Sequence, residues 1–147
     1  MNPELLFKIC NLGVLPFWLL LAVLPGHAIT RHLVHSMWLP CLLALLYMAM
    51  LFGGQPAPEE GGFDSLQALM LLFQSPTALL AGWIHYLVFD LFIGAWQVRD
   101  AQRRGISHWL VLPCLFFTLM LGPIGLMLYL LLRVAMRRET SLQEMPA

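Results

Sequence analysis

Asp90 is an acid set in the middle of a long apolar run. It lies about eight residues from the polar end of that run, or ~12 Å deep at ~1.5 Å rise per residue. A charged side chain at such depth is expensive, so an intramembrane carboxyl is by default a functional hypothesis. A lone ionised carboxylate there must take up a proton or find a partner. The competing role is structural, a carboxyl that hydrogen-bonds a neighbouring helix. Three- and four-residue spacing puts Trp83, Tyr86, Asp90, Gly94 and Gln97 on one helical stripe. That stripe combines an acid, a phenol, aromatic walls and a small residue that permits close approach. His85 falls about 140° round the helix from Asp90 and should face a different neighbour, as a packing residue or as a second polar group.

Other polar residues reach similar depth. Asn11 and His85 come out ~20 Å from the same face, and Tyr47 and Thr118 ~15 Å. Each of four apolar runs therefore contributes a hydrogen-bonding residue to one central slab. In the last run, Cys114, Thr118, Gly122, Gly125 and Tyr129 form a stripe of small and polar residues. Pro123 removes one backbone N–H and frees the Leu119 carbonyl, which opens the helix locally. These features predict a mid-depth groove bounded by Asn11, Tyr47, His85, Tyr86, Asp90 and Thr118, with Trp83 as an aromatic wall and the Gly122–Gly125 break beside it. Tight helix packing through the small residues is the alternative.

The elements that must position these groups follow from composition. Of 147 residues, 60% are apolar and only 11% charged, against about 45–50% and 25% in soluble domains. A soluble protein of this size could not hide so much apolar surface. The runs are continuously apolar rather than alternating, which selects helices over barrel strands. The expected fold is a single all-α integral-membrane domain over residues 1–147, with transmembrane spans at about 5–24, 37–52, 77–98 and 108–132. Ser75-Pro76 reads as an N-cap followed by proline at the first helical position of the third span. Leu66–Phe73 is too short to span and reads as an interfacial helix. The tail over 137–147 is polar and expected to be disordered. Four spans place both termini on one side. Arg31, Arg99, Arg103 and Arg104 then oppose Lys8, Arg133, Arg137 and Arg138, so the positive-inside rule returns a tie.

Several chemistries are disfavoured. Net charge is zero, with 8 basic and 8 acidic side chains, so nucleic acid is not an expected partner. A bis-histidine haem needs two imidazoles at similar depth, but His85 is deep and His108 interfacial, ~20 Å apart on the same depth scale. His27, His32, His35, Asp100 and His108 gather at one end, yet their spacing is too loose for a metal motif. No metal or cofactor is expected. Cys10, Cys41 and Cys114 sit in apolar runs and read as buried hydrophobes. The Gly26-His27-Ala28 stretch is not expected to act as a signal cleavage site, and no plant-type transit peptide precedes it. A multi-pass protein of a bacterial inner membrane is the expectation.

From Gly82 the run GWIHYLVFDLFIGAWQVRDAQRRGISHWLVLPCLFFTLMLGPIG resembles the ABA-deficient-four-like family. Trp83, His85, Tyr86, Leu87, Phe89, Asp90, Leu91 and Phe92 carry the resemblance. Asp100, His108, Pro113 and the Gly122-Pro123-Ile124-Gly125 turn extend it, and Asn11, Leu15-Pro16 and Trp18 add a weaker match. The resemblance implies a four-helix membrane protein, of a family whose plant members are required for making neoxanthin from violaxanthin. That conversion rearranges an epoxide to an allenic alcohol, which calls for an acid at oxygen and a base near carbon. Asp90 and His85 are suitable residue types for a catalytic pair. Asn11, Tyr47, Trp83, Tyr86, Thr118, Gly122 and Gly125 would surround the substrate, with Asp100 and His108 behind them. The expected partners are membrane lipid and a carotenoid or other apolar isoprenoid, with a protein partner or homo-oligomer possible. A non-enzymatic scaffold or lipid-binding accessory protein is the other reading.

Overall fold

The computed structural model describes residues 2–56 and 58–143. Among the described residues all regular structure is helical: α1 (Pro3–Val23), α2 (Ala28–Leu33), α3 (Trp38–Gly53), α4 (Leu66–Leu72), α5 (Pro76–Arg103), α6 (His108–Leu121) and α7 (Pro123–Arg137). Among the described residues three stretches are long and apolar enough to cross a membrane, namely Pro3–Val23, Ala28–Gly53 and Pro76–Arg103.

Local chemistry explains the boundaries. The Ser65 hydroxyl accepts from the Ala68 N–H at 3.1 Å and starts α4, as an N-cap should. Ser75 does the same for α5, accepting from the Ala78 N–H at 3.5 Å, with Pro76 as the first helical residue. The polar residues after Val98 continue α5 to Arg103, beyond the apolar run, because several of them find partners within the fold.

The last apolar run is not one helix. Gly122 takes φ +37°, a left-handed value that glycine tolerates, and ends α6 there. Pro123 then starts α7, where its missing N–H costs nothing. The chain doubles back: the Arg133 guanidinium lies 3.5 Å from Asp100, and Arg137 donates to the Gly105 carbonyl at 2.7 Å. Arg133 and Arg137 therefore lie at the same end as Arg99, Arg103 and Arg104. The tie of basic residues, which assumed a continuous span, does not hold.

The chain forms two compact units. Unit 1 comprises Met1–Val14 and Met37–Val88, and unit 2 comprises Leu15–Ser36 and Phe89–Ala147. In unit 1, Leu80, Ile84 and Leu87 of α5 are buried, as are Cys10 and Val14 of α1 and Leu43 and Met50 of α3. The four- and three-residue spacing on α5 is the apolar stripe of a packed helix. In unit 2 the stripe continues as Leu91, Ala95 and Val98, buried with Trp18 and Leu21 of α1 and Val111 and Leu115 of α6. The described part of the polar tail makes contacts: Arg104 pairs with Glu139 and donates to the Gln143 carbonyl at 3.1 Å, and Arg133 donates to the Ser141 carbonyl. The rest of that segment, 144–147, lies outside the described residues.

Candidate functional site

In unit 1 the polar and aromatic residues converge on Trp83. Its indole N–H donates to the Asn11 side-chain oxygen at 2.8 Å, so a polar residue of α1 sets the ring's orientation. Tyr86 stacks on that ring at 5.1 Å between centroids, and Phe7 tilts against it at 5.6 Å. The result is a rigid aromatic platform of the kind that suits a flat apolar partner. Trp83 and Phe7 also line an apolar cleft of about 550 Å³, with Leu79, Leu80, Glu4 and Gln55. Of the residues singled out in the sequence, Trp83 reaches this cleft. Tyr47 and His85 come together separately, their ring centroids 6.1 Å apart. His85 is exposed.

Unit 2 holds Asp90, Thr118, Gly122 and Gly125 around the chain reversal. A β-carbon at Gly122 would come within 2.7 Å of an Asp90 carboxylate oxygen. The acid therefore lies at the turn itself, against the residue that must be glycine for its backbone angle. Gly125 is held against the backbone and hydroxyl of Thr118, which locks α7 onto α6. Gln97, fully buried, donates its side-chain amide to the Thr118 hydroxyl at 3.0 Å. The Thr118 hydroxyl in turn donates to the Cys114 carbonyl at 2.8 Å. The β-carbon that Gly94 lacks would come 2.6 Å from the Trp18 ring, so this glycine makes room for an indole.

Asp100 and His108, both expected behind the site, have different partners. Arg104 donates to both carboxylate oxygens of Asp100, at 2.9 and 3.0 Å, and the Tyr129 hydroxyl donates at 2.7 Å. With Arg133 these groups form a buried cluster; Tyr129 is 0% and Arg133 1% exposed. Two buried guanidinium groups need acidic counterparts, and Asp100 and Glu139 provide them. His108 instead donates its Nε2 proton to the Ala22 carbonyl at 2.9 Å, tying the start of α6 to α1. His35 accepts from Arg99 at 3.0 Å, because a guanidinium can only donate. Among the described residues no three His, Cys, Asp or Glu side chains converge as metal ligands.

Sequence reasoning placed Gln97 and Tyr129 on helical stripes but gave neither a partner. Arg133 was counted with Lys8, Arg137 and Arg138 on the face opposite Arg99, Arg103 and Arg104. The available signal was Gly122-Pro123, a glycine that can reverse the chain followed by a residue suited to start a helix.

A helical chain with three stretches able to cross a bilayer, polar groups inside those stretches and an aromatic platform on an apolar cleft has the architecture of a helical membrane protein. The model of the ABA DEFICIENT 4-like family matches residues 5–129, and the chain belongs to that family. It is 30% identical over 128 residues to Protein ABA DEFICIENT 4, chloroplastic, of Arabidopsis thaliana. That match covers 82% of this chain and 56% of the relative, so the chain spans little more than half of the plant protein's length. No solved structure matches it.

Proposed function

We propose that this chain binds or isomerises a carotenoid or another long isoprenoid within the membrane. The observation that carries the reading is the Trp83 platform, oriented by Asn11, stacked on Tyr86 and bordering an apolar cleft. Family membership supports the same reading through the role in neoxanthin synthesis that the resemblance implies for plant members. In the proposed chemistry the Asp90 carboxyl gives a proton to a ligand oxygen as its carbon–oxygen bond opens. His85 is the proposed base for a proton on carbon; the double bonds shift, the ligand gains and loses no atoms overall, and the two side chains regain their starting protonation by exchange with solvent. A bacterial inner membrane is the proposed setting.

One observation favours the second reading, a binding or accessory protein without turnover: His85 is exposed and packs on Tyr47. Pigment extraction from a carotenoid-producing bacterial host separates the two. An isomerase yields a rearranged pigment of unchanged mass, and Asp90→Asn abolishes it while the protein still accumulates. An accessory protein retains pigment without altering it, whether residue 90 is Asp or Asn. A host profile unchanged by the wild type, with no pigment retained, would end both readings.

A further inference from the structure

We propose that the arginine-rich end of unit 2 rests on the anionic headgroups of the cytoplasmic leaflet, with α6 and α7 forming a re-entrant hairpin rather than a fourth span. The inference rests on the membrane reading above, though on no particular substrate.

Length comes first. A full crossing needs about 20 residues, whereas α6 has 14 and α7 has 15. At ~1.5 Å per residue α6 descends only ~21 Å before Gly122 reverses the chain. The reversal lies at Asp90, ~15 Å along α5 from Asp100 at the same rise. The return of α7 ends at the Asp100 cluster and Gly105. The hairpin therefore enters and leaves at one face.

Charge then sets the direction. Arg99, Arg103 and Arg104 close α5, Arg133, Arg137 and Arg138 close α7, and Arg31 lies in α2. Contacts gather these segments within unit 2. Arg99 holds His35, Gln102 lies against Gly26, and Arg137 holds Gly105. The remaining basic residue, Lys8, pairs with Glu4 at 3.3 Å, and the segment between α3 and α4 carries Glu59, Glu60 and Asp64. With the hairpin folded back, the positive-inside rule gives a clear answer. Arg31, Arg137 and Arg138 are exposed and available to phosphate headgroups. Trp109, at the start of α6 and 80% exposed, suits the headgroup level. Three crossings then put Asn2 and Ser141 on opposite faces.

The test uses the full chain in a bacterial inner membrane, with its three cysteines replaced by alanine and single cysteines introduced as Asn2→Cys, Asp64→Cys or Ser141→Cys. Spheroplasts meet a membrane-impermeant maleimide before and after permeabilisation. The first two variants should label at once, and Ser141→Cys only after permeabilisation. Labelling of Asn2→Cys and Ser141→Cys from the same face, or the reverse order, would overturn the proposal. Should the cysteine-free chain fail to accumulate, trypsin gives the same answer on the wild type. It should cut at Arg137 and Arg138 in inverted vesicles and not in spheroplasts; cutting in spheroplasts would refute the orientation. The triple variant Arg31→Glu, Arg137→Glu, Arg138→Glu tests the lipid contact. The wild type should melt higher in phosphatidylglycerol vesicles than in phosphatidylcholine vesicles, and the triple variant should lose that difference. Equal wild-type melting in both would remove the headgroup role. Pigment enters none of these readouts, so a failed topology leaves the substrate proposal standing and the converse.

Discussion

The Tyr129 hydroxyl donates to the Asp100 carboxylate at 2.7 Å, a contact made by the reversal of the chain between them at Gly122. This bond joins α7 to α5 and makes one acid the centre of a cluster with Arg104 and Arg133. Removing one partner of a buried ion pair costs about 3–5 kcal/mol, because a charge is left buried without compensation. Asp100→Asn is therefore expected to lower the melting temperature sharply in detergent. Asp100→Leu combined with Arg133→Met should recover part of the loss, since the second change removes one of the stranded charges. A double variant as unstable as the sum of the two singles would mean that the residues do not act together.

Glycine positions give a graded series. Gly125→Ala should be the most damaging, because its added carbon meets the backbone of Thr118, which cannot swing away. Gly122→Ala combines a positive φ with the nearby Asp90 side chain and should cost about 1–3 kcal/mol. Gly13→Ala has open space within 4 Å, and should be neutral or gain up to about 1 kcal/mol from helix propensity. Thermal unfolding of the three variants checks the order.

Much of this helical pattern was legible in the sequence. Ser75-Pro76 announces the start of α5, Gly53-Gly54 ends α3 within a residue, and Leu66–Phe73 encloses α4 (Leu66–Leu72). The stripe Trp83, Tyr86, Asp90, Gly94, Gln97 exists as a face of α5. Hydropathy, however, measures how long an apolar run is and not which way the chain travels. The run from His108 to Leu132 stays apolar through the reversal at Gly122, so its direction was hidden. With the direction went the burial of Arg133 and the partners of Asp100 and Tyr129. The link between Asn11 and Trp83 was equally hidden, because spacing along a chain cannot pair residues on different helices.

His85 separates chemistry from packing. It is exposed and touches Tyr47 by ring contact, so His85→Ala should change stability only modestly, by about 0.5–1.5 kcal/mol, the scale of one aromatic pair. Isomerisation should nonetheless fall at least tenfold if the imidazole takes the carbon-bound proton. Pigment conversion and melting, measured on the same preparations, provide the comparison. Conversion that falls only in step with stability would assign His85 to packing.

The Asn11–Trp83 hydrogen bond should be measurable as a coupling. Trp83→Phe and Asn11→Ala each remove one partner, at about 0.5–1.5 kcal/mol for the bond itself. The double variant should cost less than the two singles together.

Ligand binding at Trp83 is the centre of the proposed function, and induced circular dichroism tests it most directly. A symmetric carotenoid is optically silent in lipid and acquires a signal when a protein fixes its conformation. Wild-type protein in lipid nanodiscs should induce a saturable band in the polyene absorption region. Trp83→Ala should weaken binding at least tenfold, and Asp90→Asn should leave it largely intact. A wild-type protein that induces no band, or a Trp83→Ala variant that binds as the wild type does, would contradict the assignment of the platform as the ligand site.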